Sequence, residues 1–69
     1  MDFDRVAILL VRYKMMTGMS DADIAAETRI SQSTISRRMK YPSDFRLWEL
    51  DEVLTALGVK AEDKRRILC

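Results

Sequence analysis

Small polar side chains and two arginines come together in residues 31–38, which read Ser-Gln-Ser-Thr-Ile-Ser-Arg-Arg. Hydroxyl, amide and guanidinium groups of this kind can hydrogen-bond to base edges and to phosphate oxygens. The chain offers little for catalysis, because it has no His and one Cys, Cys69. The acidic pairs at residues 51–52 and 62–63 have no His, Cys or glycine-rich phosphate loop nearby. We therefore expect no enzyme activity, no metal and no cofactor.

The charged residues are distributed unevenly, although the net charge is only +1. Residues 29–48 carry five basic side chains and one acidic side chain, which gives this segment +4. Residues 1–28 carry −2, residues 49–63 carry −4, and residues 64–69 carry +3. One basic segment between two acidic ones predicts a local anion-binding face on an otherwise neutral domain.

The size and composition predict one small soluble domain, residues 1–69. The hydrophobic fraction of 48% and the charged fraction of 33% are typical of a compact helical domain rather than a disordered chain. No apolar run reaches the roughly 18 residues that a membrane helix needs. The apolar stretch 6–11 lies between Arg5 and Arg12 and lacks a cleavage site. We expect no signal peptide, no membrane contact and a cytoplasmic location.

Hydrophobic periodicity predicts an all-α fold, a compact bundle of five short helices. The predicted helices span residues 4–16, 21–28, 32–40, 46–57 and 61–68, with a loop at 41–45. The predicted inward side chains are Val6, Leu9, Leu10, Tyr13, Ile24, Ala25, Ile30, Ile35, Met39, Leu47, Leu50, Val53, Leu54, Leu57, Val59 and either Ile67 or Leu68.

Local signals indicate where these helices begin and end. Ser20 and Ser31 are suitable N-caps, and Asp23 completes a capping box with Ser20. Gly18 and Gly58 fit left-handed ends of the first and fourth helices. The second and third helices are joined by about three residues, so they must cross at a steep angle, which is the geometry of a helix-turn-helix.

The segment GMSDADIAAETRISQSTISRRM, residues 18–39, resembles the helix-turn-helix of the lambda Cro/repressor-type (XRE-like) DNA-binding domains. The similarity extends over residues 6–59 and includes Ala-Leu-Gly-Val at 56–59. It implies a helix-turn-helix at residues 20–40 and a transcriptional regulator of phage repressor or Cro type, from a phage or prophage. It also implies a double-stranded DNA operator and a homodimer as partners, with no small-molecule ligand.

Two residues depart from the pattern of that family. Arg29 stands in the turn where glycine is usual. A positive φ at a residue other than glycine costs on the order of 1 kcal/mol, so we expect a strained or reshaped turn and a solvated arginine. Asp21 stands where glutamine is usual and would repel a phosphate. We expect Ser20 and the backbone N–H groups beside it to take over that contact.

The resemblance places the beginning of the third helix in the major groove. Gln32 can then pair with an adenine edge, Arg37 with a guanine edge, and Ser33 and Ser36 with either kind. The side chains expected to contact phosphates are Ser20, Ser31, Thr34, Arg38, Lys40 and Arg46.

Some apolar residues lie outside the predicted core. Ile8, Val11 and Met15 form a second stripe on the first helix, and Trp48 lies opposite the core face of the fourth. Either the fifth helix covers this stripe, or these four residues form the homodimer interface. The alternative function is a protein-interaction module on the same scaffold, such as an antirepressor or an inhibitor of a host nucleic-acid enzyme.

Overall fold

The computed structural model describes residues 1–68, so Cys69 lies outside the described residues. Within them the elements are α1 Phe3–Thr17, α2 Asp21–Ala26, α3 Gln32–Lys40, a 3-10 turn Pro42–Asp44, α4 Leu47–Ala56 and α5 Ala61–Leu68. The predicted all-α bundle of five short helices is confirmed. No helix in this part of the chain is long and apolar enough to cross a membrane.

Side-chain caps set the beginnings of the helices. Ser20 Oγ accepts the Asp23 N–H at 3.1 Å, and the Asp23 carboxylate accepts the Ser20 N–H at 2.9 Å, which is the predicted capping box. Ser31 Oγ accepts the Thr34 N–H at 3.3 Å and begins α3. The sequence analysis missed the cap of α1, where Asp2 accepts the N–H groups of residues 4 and 5. Consequently α1 begins at Phe3, one residue earlier than predicted.

One hydrophobic core holds the helices together. Its members are each at most 7% exposed: Val6, Leu10, Ile24, Ile30, Ile35, Leu50, Val53, Leu54, Leu57 and Val59. Half-buried side chains pack around this core, among them Leu9, Tyr13, Ala25, Met39, Phe45, Ile67 and Leu68. The prediction that Leu47 lies inward is wrong, since it is 60% exposed. Leu47 is the first residue of α4 and lies beside the exposed Trp48, whereas Glu49 and Leu50 of the same turn are buried.

The α2 and α3 helices pack against each other through three buried isoleucines, Ile24, Ile30 and Ile35. The α2 helix ends at Ala26, two residues earlier than predicted. Its last turn tightens, because the N–H groups of Glu27 and Thr28 donate to carbonyls three residues back, at 3.1 and 3.3 Å.

The turn before α3 is anchored to α4 through Arg29. Glu52 accepts the Arg29 backbone N–H at 3.1 Å, Nε at 3.0 Å and Nη2 at 2.8 Å. The guanidinium carbon lies 5.4 Å from the centroid of the Trp48 ring, a cation–π distance. The strain expected at Arg29 is wrong, because within residues 1–68 only glycines have a positive φ. Arg29 is exposed, but it is a bound residue rather than a freely solvated one.

The contacts between Arg29 and Glu52 predict that removing either side chain lowers thermal stability by a different amount. Glu52→Ala leaves both the turn N–H and the guanidinium without their acceptor, whereas Arg29→Ala keeps the backbone bond to Glu52. We expect Glu52→Ala to lower the thermal midpoint by circular dichroism more than Arg29→Ala does. Glu62→Ala, which removes an exposed carboxylate of α5, is the control and should change the midpoint least. Equal losses for the first two variants would contradict the anchoring role of the backbone bond.

Candidate nucleic-acid interface

The outer face of α3 carries all four side chains that were predicted to read bases. Gln32, Ser33, Ser36 and Arg37 are exposed, whereas Ile35 on the opposite face is fully buried. The helical period of 3.6 residues produces this separation, since Ile35 packs inward while the residues on both sides of it point away. The four polar side chains therefore share one accessible surface.

A chain of hydroxyl groups lies at the beginning of α3. Ser31 Oγ donates to Thr34 Oγ1 at 2.9 Å, and Ser33 Oγ lies 3.3 Å from Ser31 Oγ. Arg37 Nη2 is 3.5 Å from Thr34 Oγ1, which is at the limit of a hydrogen bond. Because the Ser31 hydroxyl proton is directed at Thr34, Ser33 is the donor in its hydrogen bond with Ser31. The Thr34 hydroxyl accepts from Ser31 and still has its own proton to donate. Of the two residues predicted to contact phosphates here, Thr34 is therefore better suited than Ser31.

Asp21 joins three helices at the edge of this face. Its Oδ1 accepts from Lys14 Nζ of α1 at 2.7 Å, and its Oδ2 accepts from Ser36 Oγ of α3 at 2.9 Å. Partial burial raises the pKa of the Asp21 carboxyl, but the bonds from Lys14 and Ser36 outweigh burial and hold that pKa below its ordinary 3.8. Asp21 is thus a neutralised ion-pair partner, which weakens the phosphate repulsion that was expected of it.

Two of the five basic residues in segment 29–48 are paired with carboxylates of α4. Arg29 bonds to Glu52, and Arg38 Nε donates to Glu49 Oε1 at 3.1 Å. The net charge of +4 therefore overstates the charge of the surface. Among the described residues, Arg37, Lys40 and Arg46 form no ion pair and are exposed.

Arg38 was predicted to contact a phosphate, and in the structure it also joins α3 to α4 through Glu49. Its partner Glu49 is buried and also accepts the Arg46 backbone N–H at 2.9 Å, so one carboxylate begins α4 and ties it to α3. Burial raises the pKa of Glu49, but the bonds from Arg46 and Arg38 outweigh it and keep that pKa below its ordinary 4.5. The Nη groups of Arg38 make no hydrogen bond within residues 1–68 and remain able to donate to a phosphate.

The other predicted phosphate contacts lie around the ends of these helices. Ser20 is exposed, and its cap uses only an acceptor position, so its hydroxyl proton remains available. Lys40 ends α3, with Nζ 5.6 Å from the centroid of the Tyr41 ring. Arg46 precedes α4 and its side chain is exposed.

The sequence reasoning missed the acidic partners of this face. A signal for two of them was present, since Glu49 and Glu52 border the stripe formed by Leu50 and Val53 on α4. Acids at the border of a core stripe lie where the next helix packs and can meet its cations. Nothing in the sequence pointed to the bond between Asp21 and Ser36.

The residues predicted for a dimer interface occupy two surfaces. Ile8, Val11 and Met15, called the α1 stripe, are 60%, 59% and 80% exposed, so coverage by α5 is wrong. They line one depression, together with Ala7 and Arg12. Trp48 is 45% exposed and, with Leu47, forms the α4 patch, which lines another depression together with Asp51 and Leu68.

No family model, curated protein or solved structure matches the chain. The helix-turn-helix and the family membership thus stay predictions that rest on the residues themselves. Within residues 1–68, no group of three or more His, Cys, Asp or Glu side chains is placed to hold a metal ion.

The buried carboxylate of Glu49 predicts part of the pH dependence of stability. The pKa of Glu49 in the folded chain lies below its value in the unfolded chain. Between these two pKa values the unfolded chain therefore binds more protons than the folded chain. Its contribution is full well above pH 4.5 and is lost as the pH falls through the folded pKa. We expect Glu49→Gln to lower the unfolding free energy at neutral pH by about 2 kcal/mol.

The same substitution should flatten the acid limb of urea unfolding measured between about pH 6 and pH 3. The control is Glu62→Gln, at an exposed position of α5, which should follow the wild type. Parallel curves for the wild type and Glu49→Gln would rule out this coupling.

Proposed function

We propose that the chain is a sequence-specific DNA-binding transcriptional regulator of the phage repressor or Cro type, which reads the major groove with α3. The observation that carries the proposal is the outer face of α3. It combines one amide, two hydroxyls and one guanidinium above a buried isoleucine, on a helix packed against the short α2.

The dimensions and chemistry of this face suit a major groove. The groove is about 12 Å wide and admits one α-helix. Gln32 can bond bidentately to adenine, and Arg37 to the O6 and N7 atoms of guanine. Lys40, Arg46 and the terminal nitrogens of Arg38 supply positive charge for the adjacent phosphates. This division of tasks predicts that substitutions within one helix affect binding in two different ways.

The proposal is tested by selecting duplexes from random DNA and titrating the selected sequence by fluorescence anisotropy. Arg37→Ala should cost about 1–3 kcal/mol on the selected duplex and relax preference at one base pair. Lys40→Ala should weaken all duplexes alike and reduce the slope of log K against log salt by about 1 for each bound copy. An equal loss on selected and random DNA for Arg37→Ala would contradict the base-reading role.

A homodimer belongs to this proposal for a geometric reason. The longest dimension of one copy is 26 Å, whereas successive major grooves on one side of DNA are about 34 Å apart. Two copies are needed to read both grooves. The α4 patch suits a two-fold contact better than the α1 stripe does. Arg12 lines the same depression as that stripe and has no ion-pair partner within residues 1–68, so pairing two stripes would bring like charges together. Asp51 beside the α4 patch is instead paired with Lys64 Nζ at 2.8 Å.

Analytical ultracentrifugation separates the two surfaces. We expect the wild type to associate and Trp48→Glu to sediment as a monomer, because a carboxylate would be buried in the α4 patch. Val11→Glu places the same charge on the α1 stripe and should associate as the wild type does. The opposite pattern would assign the dimer to the α1 stripe, and a monomeric wild type at every concentration would exclude the homodimer.

A second candidate, a protein-interaction module, is favoured by the α1 stripe. Its three exposed apolar side chains adjoin a groove lined by three arginines and one acid, a net basic surface that complements an acidic amphipathic segment of a partner. The charged residues of that groove are Arg5, Arg12, Arg66 and Asp63. If no duplex from random DNA binds the chain even at low salt, the protein-interaction module is favoured. Binding to a selected duplex that weakens with rising salt, with a slope set by the few phosphates contacted, favours the regulator.

A further inference from the structure

We propose that Ser36 faces DNA as a hydrogen-bond acceptor only, and so selects a base that presents an amino group, adenine or cytosine, at one position of each half-site. This inference rests on the proposed function, because it assigns a specificity to one residue of the same α3 face. It follows from the direction of a single hydrogen bond.

The direction of that bond is fixed by its partners. Ser36 Oγ lies 2.9 Å from Asp21 Oδ2, and an ionised carboxylate can only accept. The hydroxyl has one proton, which is therefore directed at Asp21. The remaining lone pairs of Ser36 Oγ belong to an exposed side chain on the outer face of α3. Towards any external group, Ser36 can accept a hydrogen bond but cannot donate one.

The bond to Asp21 is costly to break. The carboxylate is half-buried and is held on its other side by Lys14 Nζ at 2.7 Å. Hydrogen bonds to a charged acceptor are stronger than those between neutral groups, so turning the Ser36 proton towards a base would sacrifice the stronger bond. We therefore expect the orientation of the hydroxyl to persist when DNA binds.

The major groove distinguishes acceptors from donors. Adenine N6 and cytosine N4 present amino donors, whereas guanine O6 and N7, thymine O4 and adenine N7 present acceptors. Guanine and thymine therefore offer no donor, and cytosine offers no acceptor. If Ser36 Oγ can only accept, then opposite guanine or thymine two acceptor atoms would face each other with no proton between them. Discrimination of roughly tenfold at this position is the size expected for one lost hydrogen bond in a binding site.

Replacing Asp21 by its amide should change the preference between cytosine on one side and guanine or thymine on the other. In Asp21→Asn, Lys14 can only donate and so holds the amide oxygen on its own side. The amide NH2 then faces Ser36 and donates to it, which turns the hydroxyl proton outward. Ser36 becomes a donor towards DNA, so guanine and thymine become acceptable at the same position and cytosine, which presents no acceptor, becomes the disfavoured base.

The experiment is selection from randomised duplexes, read by sequencing, with the wild type, Asp21→Asn, Ser36→Ala and Asp23→Asn. We expect adenine or cytosine at one position of the wild-type motif, and for Asp21→Asn the loss of cytosine and the gain of guanine or thymine there, with the other positions unchanged. Ser36→Ala should flatten that position and weaken the wild-type duplex roughly tenfold. Asp23→Asn makes the same chemical change on the same helix, at a residue bonded to Ser20, and should leave the motif unaltered.

The outcomes separate this inference from the proposed function. A wild-type motif that stays the same in Asp21→Asn and Ser36→Ala overturns the role of Ser36 and leaves the regulator intact. A wild type that selects no motif overturns both. Circular dichroism checks the folding of each variant, and if Asp21→Asn does not fold, the flattened position in Ser36→Ala decides.

Discussion

The packing of α2 against α3 is the constraint on which the candidate interface depends. These helices have six and nine residues, whereas an isolated helix shorter than about 12–15 residues is marginal in water. Neither helix can supply its own stability, so the buried contacts of Ile24, Ile30 and Ile35 must hold both. The polar side chains on the outside of α3 are oriented only as firmly as those three isoleucines fix the helix beneath them.

Three carboxylates add directional contacts to that packing. Asp21 bonds to α1 and α3, Glu49 bonds to α3 and to the beginning of α4, and Glu52 bonds to the turn before α3. Apolar contacts tolerate small rotations of a helix, whereas hydrogen bonds to charged groups do not. The isoleucines therefore determine where α3 lies, and the carboxylates restrict how it is turned, which decides the side chains that it presents.

The separation along the chain between interacting residues explains which features could be predicted from the sequence. Helix periodicity, the caps at Ser20 and Ser31 and the exposed face of α3 depend on residues within about one turn of each other, and these predictions were confirmed except for the inward position of Leu47. The missed contacts join residues 11, 15 and 23 positions apart, so they depend on how the helices pack. Arg29 illustrates the difference. The glycine that is usual there in the family the sequence resembles suggested a strained or reshaped turn, whereas the structure has an unstrained turn held by a carboxylate on α4.

The pairing of cations with acids inside the chain has a consequence for the proposed function, since the net charge is only +1. Arg29 and Arg38 are paired with acids, so under that proposal each copy would offer two or three cations to phosphates, which corresponds to a salt slope of about −2 to −3 per copy. Non-specific attraction is then weak. Under the proposed function, most of the affinity must come from base contacts and from joining two copies. Such a protein gains little by sliding on random DNA and depends on the exact hydrogen-bonding pattern that α3 presents.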